Sequence, residues 1–136
     1  MNIQKFTQKS LEAMQNLEKI SYDYGHQEVT QEHLVYALLT QEDSLILKLI
    51  EKMNIEPNLF KSAVEQALEG FVKVSGGKPY IGADLNKALI KAEDEARAMG
   101  DEYVSVEHLF LSILKNPSRT MKQLLNRFGI TRDGLL

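Results

Sequence analysis

A short stretch that occurs twice decides the fold: Thr30-Gln-Glu-His-Leu34 and Ser105-Val-Glu-His-Leu109. Each copy lies five positions after a glycine, Gly25 and Gly100. When the chain is shifted by 75 positions, residues 6–55 align on residues 81–130 without a gap. Ungapped identity together with a matched apolar pattern indicates a duplicated unit. The identical pairs are Ala13/Ala88, Glu18/Glu93, Gly25/Gly100, Val29/Val104, Glu32/Glu107, His33/His108, Leu34/Leu109, Leu39/Leu114, Leu49/Leu124 and Ile55/Ile130.

Each unit has apolar and small residues at spacings of three and four, which predicts helices. Glycine favours the left-handed turn that ends a helix, so we expect the first helices to end at Gly25 and Gly100. Thr30 and Ser105 then cap the second helices. The inward faces of the two first helices are Phe6, Ser10, Ala13, Met14, Leu17, Ser21 and Tyr24 in one unit and Leu85, Ala88, Leu89, Ala92, Ala96 and Met99 in the other.

The remaining spacing predicts second helices at about 30–41 and 105–115 and third helices at about 43–53 and 118–128, with Pro117 suited to a first turn. Pro57 starts a fourth helix, and Thr131 caps its counterpart. Residues 70–82 contain four glycines and one proline, which is typical of a loop. We therefore predict a single all-α domain over 1–136, an eight-helix globular bundle made of two pseudo-symmetric four-helix repeats. Repeat one is 1–70, the linker is 71–80, and repeat two is 81–136; the repeats share one core.

The composition excludes several classes of protein. The 136 residues carry a formal charge of −3, and none is cysteine. Disulfides, thiolate nucleophiles and cysteine zinc sites are therefore excluded, and the mild acidity argues against nucleic-acid binding. Neither a membrane-spanning apolar run nor a secretory signal is present. We expect a cytoplasmic protein that binds neither nucleic acid nor membranes.

The sequence contains no motif of an active site, a cofactor site or a metal site. Gly76-Gly-Lys78 does not form a phosphate-binding loop, because Val72 and Pro79 stand where glycine and a hydroxyl residue are needed. His26, His33 and His108 lack metal-ligand spacing. A partly buried imidazole in the first turn of a second helix, bonded to backbone or a neighbour, is the expected role. The acidic run Glu93-Asp-Glu95 is expected to form a solvated helix face.

Glu32 and Glu107 allow two interpretations. Each lies two residues after a helix cap, where a carboxylate stabilises the positive end of the helix dipole by about 0.3–1 kcal/mol. Alternatively, two symmetry-related carboxylates mark two equivalent ligand positions, each of which binds a guanidinium or a peptide N–H group. Both interpretations stay open at the level of sequence.

The duplicated pattern of a glycine followed by a capped Glu-His-Leu resembles the amino-terminal (Clp repeat) domain family of AAA+ unfoldases, over essentially the whole chain. Tyr80-Ile-Gly-Ala-Asp-Leu85 and Gly100-Asp-Glu-Tyr-Val-Ser105 are most similar to ClpB-type members. The resemblance implies a non-catalytic domain, monomeric in isolation and tethered to a hexameric ATPase ring, with ATP used only in downstream modules. On that basis we expect the 136 residues to be an excised domain of a longer chain.

The resemblance also implies two alternative functions. A ClpB-type domain binds exposed segments of misfolded or aggregated proteins, and the matching positions are Thr7, Asp101 and Glu107. Tyr80, Ile81 and Phe110 are candidate apolar contacts, although periodicity also fits core roles for Ile81 and Phe110. A ClpC-type domain binds adaptors, and it binds phosphoarginine through the positions of Glu32 and Glu107. A carboxylate serves only the guanidinium end of phosphoarginine, so cations are required nearby, and no Lys or Arg adjoins either glutamate in sequence.

Overall fold

The computed structural model describes residues 3–136, and in this range the predicted all-α fold with eight helices is confirmed. A 3₁₀ turn, Ile3–Lys5, and two very short strands, β1 (Glu28–Val29) and β2 (Tyr80–Ile81), accompany the helices. The helices are α1 (Gln8–Tyr24), α2 (Gln31–Leu39), α3 (Leu45–Lys52), α4 (Pro57–Glu69), α5 (Ala83–Ala98), α6 (Val106–Lys115), α7 (Arg119–Phe128) and α8 (Arg132–Leu135).

The helix ends follow local capping rules. Gly25 ends α1 in the left-handed conformation with φ 74°, and the Thr131 hydroxyl caps α8 by accepting the Gly134 N–H at 3.0 Å. Pro57 occupies the first turn of α4, as predicted. The prediction for Pro117 was wrong by one position, because the Ser118 hydroxyl caps α7 and leaves the proline outside the helix. Each helix of the second repeat begins within one residue of its counterpart shifted by 75 positions.

The two repeats are joined by a reciprocal exchange of backbone pairing. Val29 pairs in parallel with Ile81, and Phe6 forms the equivalent parallel bridge with Val104. In each case the next residue of the chain adds a backbone hydrogen bond. Gly82, which follows Ile81, donates its N–H to the Val29 carbonyl at 2.9 Å, and Thr7, which follows Phe6, donates its N–H to the Val104 carbonyl at 3.0 Å. Each repeat therefore supplies the backbone partner for the segment that precedes the second helix of the other repeat.

One apolar core runs through both repeats. The predicted inward face of α1 is buried or half-buried, and its small residues let α2 approach closely. On α5 the predicted face is buried except for Met99, which is 44% exposed just past the end of the helix. The prediction of a fully solvated acidic run was wrong at Glu95, which is buried and pairs with Arg132 Nη1 at 2.7 Å.

A candidate binding groove between the repeats

A groove of about 450 Å³ lies where the linker meets the starts of α2, α5 and α7. Both repeats contribute to it, and the linker forms one wall. We call it the interrepeat groove. Its lining residues are His26, Gln27, Glu28, Thr30, Gln31, Glu32, Phe71, Val72, Val74, Tyr80, Gly82, Asp84, Leu85, Ser118, Arg119 and Thr120.

The linker wall of the groove carries exposed apolar side chains. Val72 is 82% exposed, Val74 is 47% exposed and Tyr80 is 54% exposed. The Val74 N–H donates to the Gly25 carbonyl at 2.8 Å, which fixes the middle of the linker against the end of α1. The glycine-rich loop pattern gave no sign that these valines form a surface, because a loop has no apolar period.

The opposite side of the groove is polar and contains Glu32. This residue is only 1% exposed, and the Thr120 hydroxyl donates a hydrogen bond to Glu32 Oε2. Its other oxygen, Oε1, is buried without a hydrogen-bond partner. Arg119 lines the same groove, so the fold places a cation and this carboxylate in one groove although none adjoins Glu32 in sequence.

A histidine closes the first turn of α2 and of α6. His33 Nδ1 accepts the Thr30 backbone N–H at 2.9 Å, and His108 Nδ1 accepts the Ser105 N–H at 2.9 Å. The other ring nitrogen, Nε2, then carries the proton and donates to the residue that follows the turn glycine. That acceptor is His26 Nδ1 at 2.9 Å in repeat one and Asp101 Oδ2 at 2.8 Å in repeat two. The predicted role of these two histidines, bonded to backbone and a neighbour, is confirmed.

The surroundings of the histidine pair disfavour its protonation. Burial, and then the proximity of His26, lower the pKa of His33 to about 4. The pKa of His26 is lowered as well, first by burial and then by Lys73, while the Leu68 backbone and Glu69 act in the opposite direction. The pair is therefore neutral at pH 7.

The residues predicted to bind clients do not form one cluster. Tyr80 and Ile81 lie together over a second cleft of about 390 Å³ beside α1. Thr7 caps α1, and Asp101 is held by His108. Glu107 lines a different cleft, together with Leu49, Met99, Leu111, Leu135 and Leu136.

Phe110 departs from its predicted place at a client surface. Its side chain is 0% exposed and belongs to the shared core. The buried position follows from the α6 period, which turns it toward the helices that α6 packs against. Ile81, the other residue with two interpretations, is exposed.

The described residues contain no group of three or more His, Cys, Asp or Glu side chains placed to hold a metal ion. Within the same residues, no helix combines the length and apolar character needed to span a bilayer. The described residues form grooves with mixed apolar and polar walls.

A duplicated eight-helix bundle with grooves between its repeats defines the class of Clp-type N-terminal domains. The chain belongs to the family of Clp repeat (R) N-terminal domains, whose model matches residues 5–128. Domains of this family are parts of AAA+ proteins and are not themselves catalytic.

Among curated relatives, the chain is similar to the chaperone protein ClpB of Nitratidesulfovibrio vulgaris, with 40% identity, and to that of Bacillus anthracis, with 34% identity. Each match covers 100% of this chain and 16% of the relative, so the chain spans about one sixth of the length of these proteins.

Solved structures share the fold. The Hsp104 N-terminal domain from Candida albicans matches with a TM-score of 0.80 at 18% identity, covering 96% of this chain and 86% of that chain. The complex of a ClpV N-domain with a VipB peptide matches with a TM-score of 0.75 at 21% identity, covering 98% of this chain and 83% of that chain.

Proposed function

We propose that this chain is the client-binding N-terminal domain of a ClpB-type protein disaggregase. In this proposal an exposed apolar segment of a misfolded or aggregated protein lies in the interrepeat groove. ATP is bound and hydrolysed by other modules of a longer, hexameric cytoplasmic protein. The ClpB relatives, at up to 40% identity over the whole chain, support the assignment.

The exposed apolar wall of the linker is the observation that carries the proposal. Val72, Val74 and Tyr80 present apolar surface beside a groove that both repeats form. Burying such surface gains about 25 cal/mol per Å², and that gain requires no particular client sequence. Ordering an unfolded segment opposes it, so we expect micromolar or weaker affinity, which corresponds to about 8 kcal/mol or less. Weak binding suits a domain that must release its client.

The experiment measures the affinity of fluorescently labelled unfolded casein by anisotropy. The variant Val72→Ser/Val74→Ser removes apolar surface from the groove wall, and we expect binding about tenfold weaker, equivalent to about 1.4 kcal/mol. Ile90→Ser is the matched control, because Ile90 is an exposed apolar residue on α5 that does not line the groove. Equal affinities in all three proteins, or an equal loss in the control, would contradict the proposal.

Chemical-shift mapping with the same client tests the individual residues. We expect Tyr80 and Ile81 to shift when the groove is occupied. Shifts at Asp101 and Glu107 as well indicate that the client extends over repeat two, and a shift at Thr7 indicates that it reaches the start of α1. Shifts confined to surfaces away from all of these residues count against the assignment.

A ClpC-type function, the binding of phosphoarginine, is the second candidate. Arg119 in the same groove as Glu32 favours it, since the arginine supplies the cation that phosphate needs and the carboxylate supplies the acceptor that guanidinium needs. The side chains that line the cleft at Glu107 include no Lys or Arg to bind a phosphate, so we expect one site and not two. Calorimetry with free phosphoarginine should detect a single site that Glu32→Gln removes and Glu107→Gln retains. No heat of binding, or two equal sites, would exclude this version.

A further inference from the structure

Thr30, His33 and His26 form a hydrogen-bonded chain beside the interrepeat groove. Both ring nitrogens that lack a proton, His33 Nδ1 and His26 Nδ1, already accept a hydrogen bond. The sequence of donors runs from the Thr30 backbone N–H to His33 Nδ1 and from His33 Nε2 to His26 Nδ1, each over 2.9 Å. An added proton must therefore go to a nitrogen that already accepts a hydrogen bond. It breaks either the cap of α2 or the bond between the two rings.

The same two rings support the linker wall. The ring of Phe71, which follows the end of α4, packs edge-on against His26 at 5.7 Å and lies at 6.2 Å from His33. The ring of Tyr24 also stacks on His26, with the ring centroids 5.5 Å apart. Three residues after Phe71, the Val74 N–H donates a hydrogen bond to the carbonyl of Gly25, the residue that precedes His26. Residues 71–74 are thus docked against the histidine pair and the residue that precedes it.

We propose that the His26–His33 pair is a proton-sensitive latch: protonation of either ring releases the linker wall and weakens client binding in the interrepeat groove. The weakening of client binding rests on the proposed function, whereas the release of the linker does not. Repeat two contains the same helix cap, but its histidine pairs with the carboxylate of Asp101 in place of a second imidazole. The latch is therefore confined to repeat one, the half that carries the linker.

The charges around the pair oppose one another. Lys73, on the linker, disfavours protonation of His26, whereas Glu69 at the end of α4 favours it. On the α1 side the neighbour is Tyr24, whose pKa is raised to about 12, first by burial and then by Tyr36, so it stays neutral. The other charged side chains that line the groove are Glu28, Glu32, Asp84 and Arg119.

The size of the effect follows from linkage. The pKa of His33 is about 4 when the linker is docked and returns toward 6.5 when the ring is exposed. The equilibrium constant for linker release then rises about tenfold between pH 7.5 and pH 5.5. Above pH 7 it is almost independent of pH, because both forms are neutral.

Amide hydrogen exchange of Val74 in the 136-residue chain measures this release, after correction for the intrinsic pH dependence of exchange. We expect the protection factor of Val74 to fall about tenfold between pH 7.5 and pH 5.5. The Gly82 amide, which is bonded to Val29 between the repeats, should change much less. In parallel, a rhodamine-labelled peptide of Leu, Phe, Ser and Gly, which does not titrate in this range, reports on the affinity of the groove.

The variant His26→Asn/His33→Gln keeps an amide in each position, and Gln is a natural partner in a capping box. It should show no pH response at Val74. His108→Gln makes the matched change in repeat two and should keep the full response. A wild-type protection factor that does not change with pH, or an undiminished response in the double variant, overturns the latch.

The two readouts separate the latch from the proposed function. Peptide binding that is absent at both pH values contradicts client binding in the groove, while the exchange data still decide on the latch. Peptide binding that persists unchanged at pH 5.5 after the linker is released contradicts the regulatory half of the proposal.

Discussion

The backbone N–H of Ser118 donates to Oε1 of Gln31 at 2.9 Å, across 87 positions of the chain. The same side chain donates through Nε2 to the carbonyls of Asp84, at 3.1 Å, and Asn116, at 2.9 Å. One fully buried glutamine thus satisfies three backbone groups, at the start of α5, the end of α6 and the start of α7. It fixes two edges of the interrepeat groove relative to the start of α2.

Replacing this glutamine should loosen the contact between the repeats. Gln31→Ala leaves three backbone groups without partners, and we expect the free energy of unfolding to fall by about 2–4 kcal/mol. Urea denaturation followed by circular dichroism measures the loss. Gln41→Ala is the control, since Gln41 makes only an exposed bond to the Lys9 carbonyl, and it should cost less than about 0.5 kcal/mol. Similar losses in both variants would contradict a specific role for Gln31.

Local signals were sufficient to predict the helices. The apolar period, the turn glycines and the hydroxyl caps each depend on residues within a few positions of one another, as at Gly25 and Thr131. The duplication also predicted that the halves share one core. It did not reveal the exchanged pairing of Phe6 with Val104 and Ile81 with Val29, because such pairing has no local signature.

The site was harder to predict because it joins distant segments. Glu32 and Arg119 are 87 positions apart, and only the fold places them in one groove. Glu95 was expected in solvent because its partner, Arg132, belongs to another helix. The sequence did contain one signal of the site, namely residues that differ from their counterparts 75 positions along the chain. Gln31 corresponds to Val106, and His26 corresponds to Asp101. Both departures lie at the groove.

The buried pair of Glu95 and Arg132 should anchor α8. Glu95→Gln leaves the arginine charge poorly compensated, and we expect a loss of about 1–3 kcal/mol, because Arg132 is still partly exposed. Asp94→Asn is the control, since its pair with Arg97 lies at the surface, and it should cost less than about 0.5 kcal/mol. Thermal unfolding compares the two. A larger loss for Asp94→Asn would exclude an anchoring role for the buried pair.

Stability should fall in mild acid because of the histidine pair. The unfolded chain takes up a proton near pH 6.5, whereas the pKa of His33 in the folded protein is about 4. The free energy of unfolding is therefore constant above pH 7 and decreases as the pH falls from about 6.5 to about 4, by up to about 3 kcal/mol. Urea midpoints at pH 7.5, 6.0 and 5.0 measure the slope. His33→Gln should reduce it, and an unchanged slope would assign the loss to another group.

The hydrogen bond from Thr120 to Glu32 should hold α7 against the start of α2. Thr120→Val preserves the shape of the side chain but removes the only hydrogen bond that the structure gives the Glu32 carboxylate. Because a buried carboxylate without donors is costly, we expect the unfolding free energy to fall by about 1–3 kcal/mol. Thr40→Val removes an exposed hydroxyl that bonds within its own helix end and should have little effect. In the double variant Thr120→Val/Glu32→Gln the loss should be smaller than the sum of the single losses, and strict additivity would show that the two side chains do not interact.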